Sequence, residues 1–351
     1  MKERLESLDI LRGADMFLLL FIGPVLRAVC KAVPGGAAWL SAQLNHVPWE
    51  GFVLWDIIMP LFLFMSGITI PFSMAKYKEG LRPDGQFYLK LLRRFCVLFL
   101  LGWIVQGNLL LWDWKLFHPF ANTLQAIAVG YVVAALLFVH ADIKWQVAAC
   151  ALLFAAYWIV FACTGMNTDP QDNVAMVIDK AVLGSHRDGV EWAADGSWRF
   201  MKRYQYTWVL SSLNFAVTVI MGSFAGQILR ANKLQPARRA MAVDIVGALL
   251  IASGLLLSPA FPIIKKIWSS TMTLFSGGIC FVLIGLTYYV VDVRKRGRWL
   301  SWLKIYGMNA ITAYCIGEML KYNTLPVAVG NALLVFFLLL IMYRRKLFIK
   351  I

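Results

Sequence analysis

Long apolar runs recur along the whole chain, and they constrain its fold more than any other feature. Ten of these runs have the length of about 20 residues that a helix needs to cross a bilayer. Of the 351 residues, 60% are hydrophobic and 15% are charged, whereas soluble domains carry about 45–50% apolar and about 25% charged residues. The sequence therefore predicts an all-α, polytopic membrane helix bundle. The predicted spans lie near residues 9–30, 52–75, 91–111, 121–139, 145–163, 207–229, 241–258, 268–291, 305–320 and 325–343.

The basic residues are distributed unevenly among the predicted loops. The formal net charge is +15, which in a soluble protein would suggest nucleic-acid binding. If the N-terminus is cytoplasmic, however, most Lys and Arg residues fall in the cytoplasmic loops, as the positive-inside rule requires. Both termini are then expected in the cytoplasm, and no nucleic-acid partner is expected. The short loops on the far side keep only Lys31, Lys115, Lys265, Lys266 and Lys321.

A histidine and a carboxylate mark the entry to the second predicted span. His46 lies just ahead of this span, and Asp56 follows ten residues later inside it. A carboxylate within an apolar span is costly unless it has a partner or a function. A neutral histidine can take a proton from an attacking amine or hydroxyl, or can itself be acylated. If the helix turns Asp56 toward His46, the carboxylate is expected to orient the imidazole and stabilise its protonated form.

Other polar residues enter the predicted spans, and each has two interpretations. Asp9, Arg12 and Asp15 recur every three residues and share one helix face. They are either an ion-pair ladder at the interface or a group that orders a ligand. Gln125 lies a full turn inside the fourth span, either as an interhelical hydrogen-bond partner or as a ligand contact.

The long connection on the far side, residues 164–206, is predicted to form a folded cap. Its charges are mixed, and its tryptophans, Trp192 and Trp198, favour a packed structure that would suit a carbohydrate. Further along, Lys265 and Lys266 run against the positive-inside bias. They either anchor the interface or bind an anionic group.

Sequence motifs of familiar soluble enzymes are absent. There is no Walker motif, dinucleotide-binding glycine loop, zinc ligand cluster or nucleophile elbow. The six cysteines lie in apolar spans without paired spacing, and we interpret them as small core residues, so no metal site is expected. The first span lacks a small-residue cleavage site and is predicted to be retained. Residues 1–351 are therefore expected to form a single transmembrane domain, with no soluble domain before or after it.

The residues alone leave two function classes open. A transporter of an amino sugar or another small polar solute would also carry polar residues and broken helices inside its bundle, and it ranks first on these features. It is expected to contain two related halves, but no convincing repeat is visible. An enzyme would depend on His46 and the carboxylates. In a purely structural interpretation, His46 caps a loop and Asp56 pairs with a neighbouring helix.

Several short motifs are spread nearly from end to end of the chain. They are Arg4-x-x-Ser7-Leu8-Asp9-x-x-Arg12-Gly13, His46-x-x-Trp49-x-Gly51 with Asp56, Pro60-Leu61-Phe62-Leu63-Phe64-x-x-Gly67, Leu124-Gln125, Pro262-x-x-Lys265-Lys266-x-Trp268 and Gly307-Met308-Asn309. Together they resemble the transmembrane acyltransferase family of heparan-alpha-glucosaminide N-acetyltransferase and its bacterial relatives. The combination is specific, although no single motif is.

The resemblance implies acetyl transfer from cytoplasmic acetyl-CoA, as co-substrate, to an amine or hydroxyl of a sugar across the membrane. The family's catalytic histidine falls on His46, with Asp56 as its expected partner. A bacterial inner membrane is the expected location, with the His46 loop facing the periplasm or exterior. The expected partners are acetyl-CoA, a sugar or glycan acceptor and the lipid bilayer, and a homodimer is left open. The residues expected to contact the sugar or acetyl-CoA are Asp9, Arg12, Asp15, Trp49, Glu50, Gln125, Trp208, Ser211, Ser212, Lys265, Lys266 and Asn309.

Two positions depart from the family pattern. An asparagine late in the first span corresponds to Gly23, and Ala126 replaces the arginine that follows Leu124-Gln125 in the family. The first departure bears on the acceptor, and the second removes a cation that would meet a phosphate. Direct transfer in a ternary complex is favoured over an acyl-histidine intermediate.

Overall fold

The computed structural model describes residues 5–32, 38–106, 109–110, 112–320, 322 and 324–349, and most of this part of the chain is helical. Arg4 of the opening motif and Lys321 of the far-side loops lie outside it. The elements are α1 Glu6–Phe17, α2 Gly23–Ala32, α3 Ala38–Leu44, α4 Ile58–Ser73, α5 Ala75–Lys78, α6 Gly85–Val105, α7 Thr123–His140, α8 Ile143–Cys163, α9 Val174–Leu183, β1 Val190–Trp192, β2 Trp198–Phe200, α10 Ser212–Arg230, α11 Pro236–Leu257, α12 Ser270–Tyr288, α13 Lys304–Gly307, α14 Ala310–Met319 and α15 Leu325–Arg344.

The predicted membrane helix bundle is confirmed. Within the described residues, eight helical stretches are long and apolar enough to cross a bilayer. A further helix, α6, has 21 residues but carries three basic side chains in its first half. The predicted span 305–320 is divided into α13 and α14, because Asn309 has a non-helical backbone (φ −125°, ψ 39°). The protein is an integral membrane protein.

The first span is one continuous helical stretch with a local irregularity. A π-helical segment, Leu18–Ile22, joins α1 to α2. Pro24 follows directly, and because proline has no backbone N–H, it leaves a carbonyl of the preceding turn without its usual donor. Gly23 sits at this junction, where a Cβ atom would lie 2.1 Å from the ring of Trp55. The departure from the family pattern at Gly23 therefore makes room for Trp55.

The centre of the bundle is formed by α4 and α10, which pack against each other and against α7. Their spans are 78% and 72% buried, whereas those of α8, α11 and α15 are 17%, 22% and 22% buried. These three helices therefore lie at the periphery, facing the lipid. The central backbones approach closely at glycines, since a Cβ atom on Gly222 would lie 2.0 Å from the carbonyl oxygen of Phe64.

Residues 164–206 fold over one end of the bundle, which we call the His46 end. This cap contains α9 and the antiparallel hairpin β1–β2. The buried Asp179 carboxylate accepts hydrogen bonds from the backbone N–H groups of Trp208 and Val209, at 2.8 and 2.9 Å. The fully buried Arg187 guanidinium donates to the carbonyls of Asp188 and Tyr206. These bonds fix the end of the cap to the beginning of α10.

Candidate active site

The loop that carries His46 is held between the cap and the connection from α11 to α12. The N–H of Gly51 donates to the carbonyl of Ile263 at 2.9 Å, and the indole of Trp49 donates to the carbonyl of Thr168 at 3.0 Å. Gly51 has a φ of +112°, a conformation that favours glycine. The loop is therefore pinned on both sides, and His46 has a fixed position at the end of the bundle.

His46 and Asp56 form a short hydrogen bond. The two atoms, His46 Nδ1 and Asp56 Oδ1, are 2.6 Å apart. The other carboxylate oxygen accepts the N–H of Val53 at 3.2 Å, and Asp56 is fully buried. Because an ionised carboxylate only accepts hydrogen bonds, the imidazole proton lies on Nδ1 and the lone pair on Nε2. The Asp56 partner expected from the sequence is therefore in place. Nε2 is left as the basic atom of the ring.

Lys265 completes a three-residue cluster with this pair, in which Asp56 and Lys265 are buried and the His46 side chain is 38% exposed. Its ammonium lies 3.2 Å from His46 Nδ1 and 3.4 Å from Asp56 Oδ1. Burial lowers the pKa of Lys265 to about 8, opposed by the carboxylates of Asp56 and Asp15. Burial also lowers the pKa of His46, the Asp56 hydrogen bond opposes this effect, and the Lys265 ammonium adds to it. His46 is therefore neutral at pH 7, as a proton acceptor must be.

A cavity of about 500 Å³, which we call the outer cavity, opens beside His46 and Lys265. Tyr206 of the cap and Trp208, just ahead of α10, line its wall, so the predicted contact Trp208 does face a cavity. The membrane helices contribute polar groups at its edge. Those polar side chains are Arg27, Gln106, Asn122, Thr123, Tyr314 and Glu318.

A second cavity, of about 580 Å³, lies at the opposite end of the same helices, and we call it the inner cavity. Asp9 and Arg12 line it, and the Arg12 guanidinium donates to the carbonyl of Met65 at 3.3 Å. Arg94 also lines it, with its guanidinium 3.8 Å from the centre of the Tyr131 ring. The inner cavity therefore combines apolar walls with two guanidinium groups and one carboxylate.

The two cavities share their helices but are separated from each other. Each is lined by residues of α4 and α7 and of the helical stretches Glu6–Lys31 and 304–319. Among the described residues, only Phe62 lines both. Its ring meets the ring of Tyr314 edge to face, with centroids 6.1 Å apart. Phe62 therefore lies where a path along the bundle axis would pass from one cavity to the other.

Several predicted contact residues lie in neither cavity. The Lys266 ammonium donates to the carbonyl of Pro48 and to the side chain of Gln205, at 2.6 and 2.8 Å, and joins two loops. Asn309 bonds the backbone of Leu347 and Ile349 near the chain's last described residues. The other predicted contacts that lie in neither cavity are either buried in the protein or bonded to other parts of it. They are Asp15, Trp49, Glu50, Gln125, Ser211 and Ser212.

Other residues reach the outer cavity without having been predicted as contacts. Arg27 lies 4.1 Å over the ring of Trp55 and donates to the carbonyl of Leu44 at 2.9 Å. Asp188, Tyr204 and Tyr206 come from the cap. No sequence signal marked these residues, because which of the cap's many polar side chains point inward depends on how the cap folds. Within the described residues, no group of His, Cys, Asp or Glu side chains has the arrangement of a metal site.

Comparison with known proteins identifies two distant relatives. No family model matches the chain. It is 25% identical, over 99% of its length, to heparan-alpha-glucosaminide N-acetyltransferase of Mus musculus and covers 60% of that protein. It is likewise 25% identical, over 92% of its length, to heparan-alpha-glucosaminide N-acetyltransferase of Homo sapiens and covers 54% of that protein. The chain thus spans little more than half the length of these relatives. At this distance, the comparisons support a relationship to a family of membrane acyltransferases.

Proposed function

We propose that the protein is a membrane-embedded acetyltransferase that moves an acetyl group from acetyl-CoA to an amine or hydroxyl of a sugar. The observation that carries this proposal is the His46–Asp56 pair, with its 2.6 Å hydrogen bond, at the wall of the outer cavity. The orientation leaves Nε2 available as a base. The similarity to two proteins named N-acetyltransferases supports the same reaction class.

In the proposed reaction, the donor occupies the inner cavity and the acceptor the outer cavity. The apolar wall of the inner cavity suits the pantetheine arm of acetyl-CoA. Arg12 and Arg94, which line it, supply positive charge for the phosphates of the nucleotide. By the positive-inside rule this end faces the cytoplasm, where acetyl-CoA is made, and the His46 end faces the periplasm or exterior of a bacterial cell.

His46 acts as general base in this scheme. Nε2 takes the proton from the acceptor nitrogen or oxygen as that atom attacks the thioester carbonyl carbon. The new bond to carbon forms and the carbon–sulfur bond breaks, and the CoA thiolate then takes the proton from the imidazolium. Asp56 holds the ring in position and stabilises its transient positive charge. Burial and the Lys265 ammonium lower the pKa of His46 and keep the resting ring neutral. We favour this direct transfer because the two cavities allow donor and acceptor to be bound together.

The proposal is tested with the purified protein in detergent or vesicles. Labelled acetyl-CoA is supplied with and without glucosamine and related sugars. We expect His46→Ala to lower label transfer by on the order of 10²–10⁴-fold, the usual contribution of a general base. His186→Ala is the matched control, because this second histidine of the same end bonds the carbonyl of Phe117 and lines neither cavity.

Three results would contradict parts of the scheme. Equal transfer by wild type and His46→Ala would remove His46 from the reaction. Labelled histidine accumulating at position 46 without acceptor would replace direct transfer with an acyl-histidine intermediate. Uptake of the sugar into vesicles, independent of acetyl-CoA, would instead identify a transporter.

A further inference from the structure

The further inference concerns the boundary between the two cavities and rests on the proposed function. We propose that Phe62, together with Tyr314, is a gate on the donor path that admits only acyl groups no wider than the pantetheine arm. Nothing in the site described above assigns a residue to the choice of acyl group. The gate would supply that choice.

Phe62 lies on α4 between residues that line the two cavities. Ile58 and Met59, one turn before it, line the outer cavity, and Met65 and Ser66, one turn after it, line the inner cavity. One face of α4 therefore runs along both cavities, since residues three and four apart share a helix face. Phe62 lies between these two sets of residues, and it is only 8% exposed.

Tyr314 forms the wall opposite Phe62. Tyr314 projects from α14 and meets the Phe62 ring edge to face, with ring planes inclined by 62°. The Tyr314 hydroxyl lies 3.5 Å from Asn122 Nδ2 at the start of α7, so a polar contact holds its ring from the outer side. The helices α4 and α14 and the start of α7 thus meet at one point between the cavities.

The proposed reaction requires the acyl group to travel from the inner to the outer cavity. The thioester carbon has to reach His46 in the outer cavity while the nucleotide stays at the inner end, so the acyl group must pass Phe62. A gate of this kind selects by cross-section, because a linear acyl chain is no wider than the arm that follows it. A branched or aromatic acyl group is wider, and a packed aromatic pair rejects it.

Donor selection is measured with acetyl-, butyryl- and benzoyl-CoA. We expect wild type to transfer acetyl and butyryl groups and to discriminate against benzoyl. Phe62→Ala should raise the ratio of benzoyl to acetyl transfer by roughly tenfold or more, and Phe62→Leu by less. Met59→Ala is the control, since it enlarges the outer cavity one turn away without opening the boundary. An unchanged ratio in Phe62→Ala would overturn the proposal.

A second measurement does not depend on transfer. Ser66→Cys places a thiol in the inner cavity. A membrane-impermeant thiol reagent that is wider than the pantetheine arm is added from the His46 side of sealed vesicles. Mass spectrometry reads labelling at position 66, so the native cysteines stay in place. We expect labelling only in the double variant that also carries Phe62→Ala. Equal labelling of Ser66→Cys alone would show that Phe62 does not close the path between the cavities. If no variant transfers acetyl, the proposed function and donor selection fail together, while labelling still decides whether the gate exists.

Discussion

At the scale of single residues, burial and the Lys265 ammonium together explain how a histidine bonded to a carboxylate stays neutral. A short bond to Asp56 by itself raises the pKa of His46, whereas burial and the nearby ammonium lower it. The lowering effects prevail, so the ring is unprotonated at neutral pH and can accept a proton. The ammonium also gives the buried Asp56 carboxylate a partner of opposite charge, in addition to its hydrogen bonds from His46 and Val53.

Lys265→Met should therefore change the pH dependence of the proposed reaction. The rate falls as pH decreases through the pKa of His46, which lies below the ordinary value of about 6.5. Without the ammonium this pKa rises, and the acid limb of kcat/KM should move to higher pH. The measurement is the initial rate of wild type and of Lys265→Met between about pH 5 and pH 8. Because both proteins receive the same acceptor, its titration affects the two pH profiles equally and does not change their difference.

Lys266→Met serves as the control for this shift. Its ammonium bonds Pro48 and Gln205 rather than the imidazole, so the acid limb should stay where it is in wild type. An acid limb of Lys265→Met that stays in place or moves to lower pH would show that Lys265 does not set the charge of His46.

The residues of the His46 cluster were the predictable part of the site. His46 and Asp56 stood out because titratable side chains are rare at the entry to an apolar span, and Lys265 because it broke the charge bias of its side. Ser211 and Asn309 line neither cavity, and their polar groups bond backbone carbonyls or N–H groups of other segments. A buried polar residue needs a partner, and the sequence does not say whether that partner is ligand or backbone.

At the scale of elements, α4 shows why helix positions were predictable and helix faces were not. Length and hydropathy located the spans, because a bilayer requires about 20 apolar residues. The inward face of α4 gave no such signal, since lipid and bundle core are equally apolar and the helix is almost uniformly hydrophobic. Phe62 consequently looked like its neighbour Phe64, which packs against Phe281 and lines neither cavity.

The glycine contacts of the central helices predict a stability effect. Gly222→Ala would place a methyl group against the Phe64 carbonyl, and the backbones of α4 and α10 would have to separate. We expect a loss of about 1–3 kcal/mol, typical of overpacking a tight interface, and a lower melting temperature in detergent. Gly330→Ala in α15 is the control, because a Cβ there meets nothing within 4 Å. Equal melting temperatures for the two variants would contradict this packing.

At the scale of the whole molecule, the described ends of the chain lie on the same face of the bundle. The backbone N–H groups of Glu6 and Ser7 donate to the Asp292 carboxylate, and Lys304 pairs with Glu6. Asn309 bonds the backbone at Leu347 on the same face. Cap and His46 lie at the other end. The molecule can therefore lie in the membrane in only two orientations, with the described chain ends either in the cytoplasm or on the far side. The distribution of basic loops predicts that the two chain ends are cytoplasmic.

Reporter fusions distinguish these two orientations. A fluorescent protein that folds only in the cytoplasm, fused after the last residue, should fluoresce, and alkaline phosphatase at the same position should be inactive. An insertion of the phosphatase at the exposed hairpin turn around Gly196 should give the opposite result. If both reporters behaved in the reverse way, acetyl-CoA would meet the His46 end first. The donor and acceptor assignments of the two cavities would then exchange, and Phe62 would gate the acceptor rather than the acyl group.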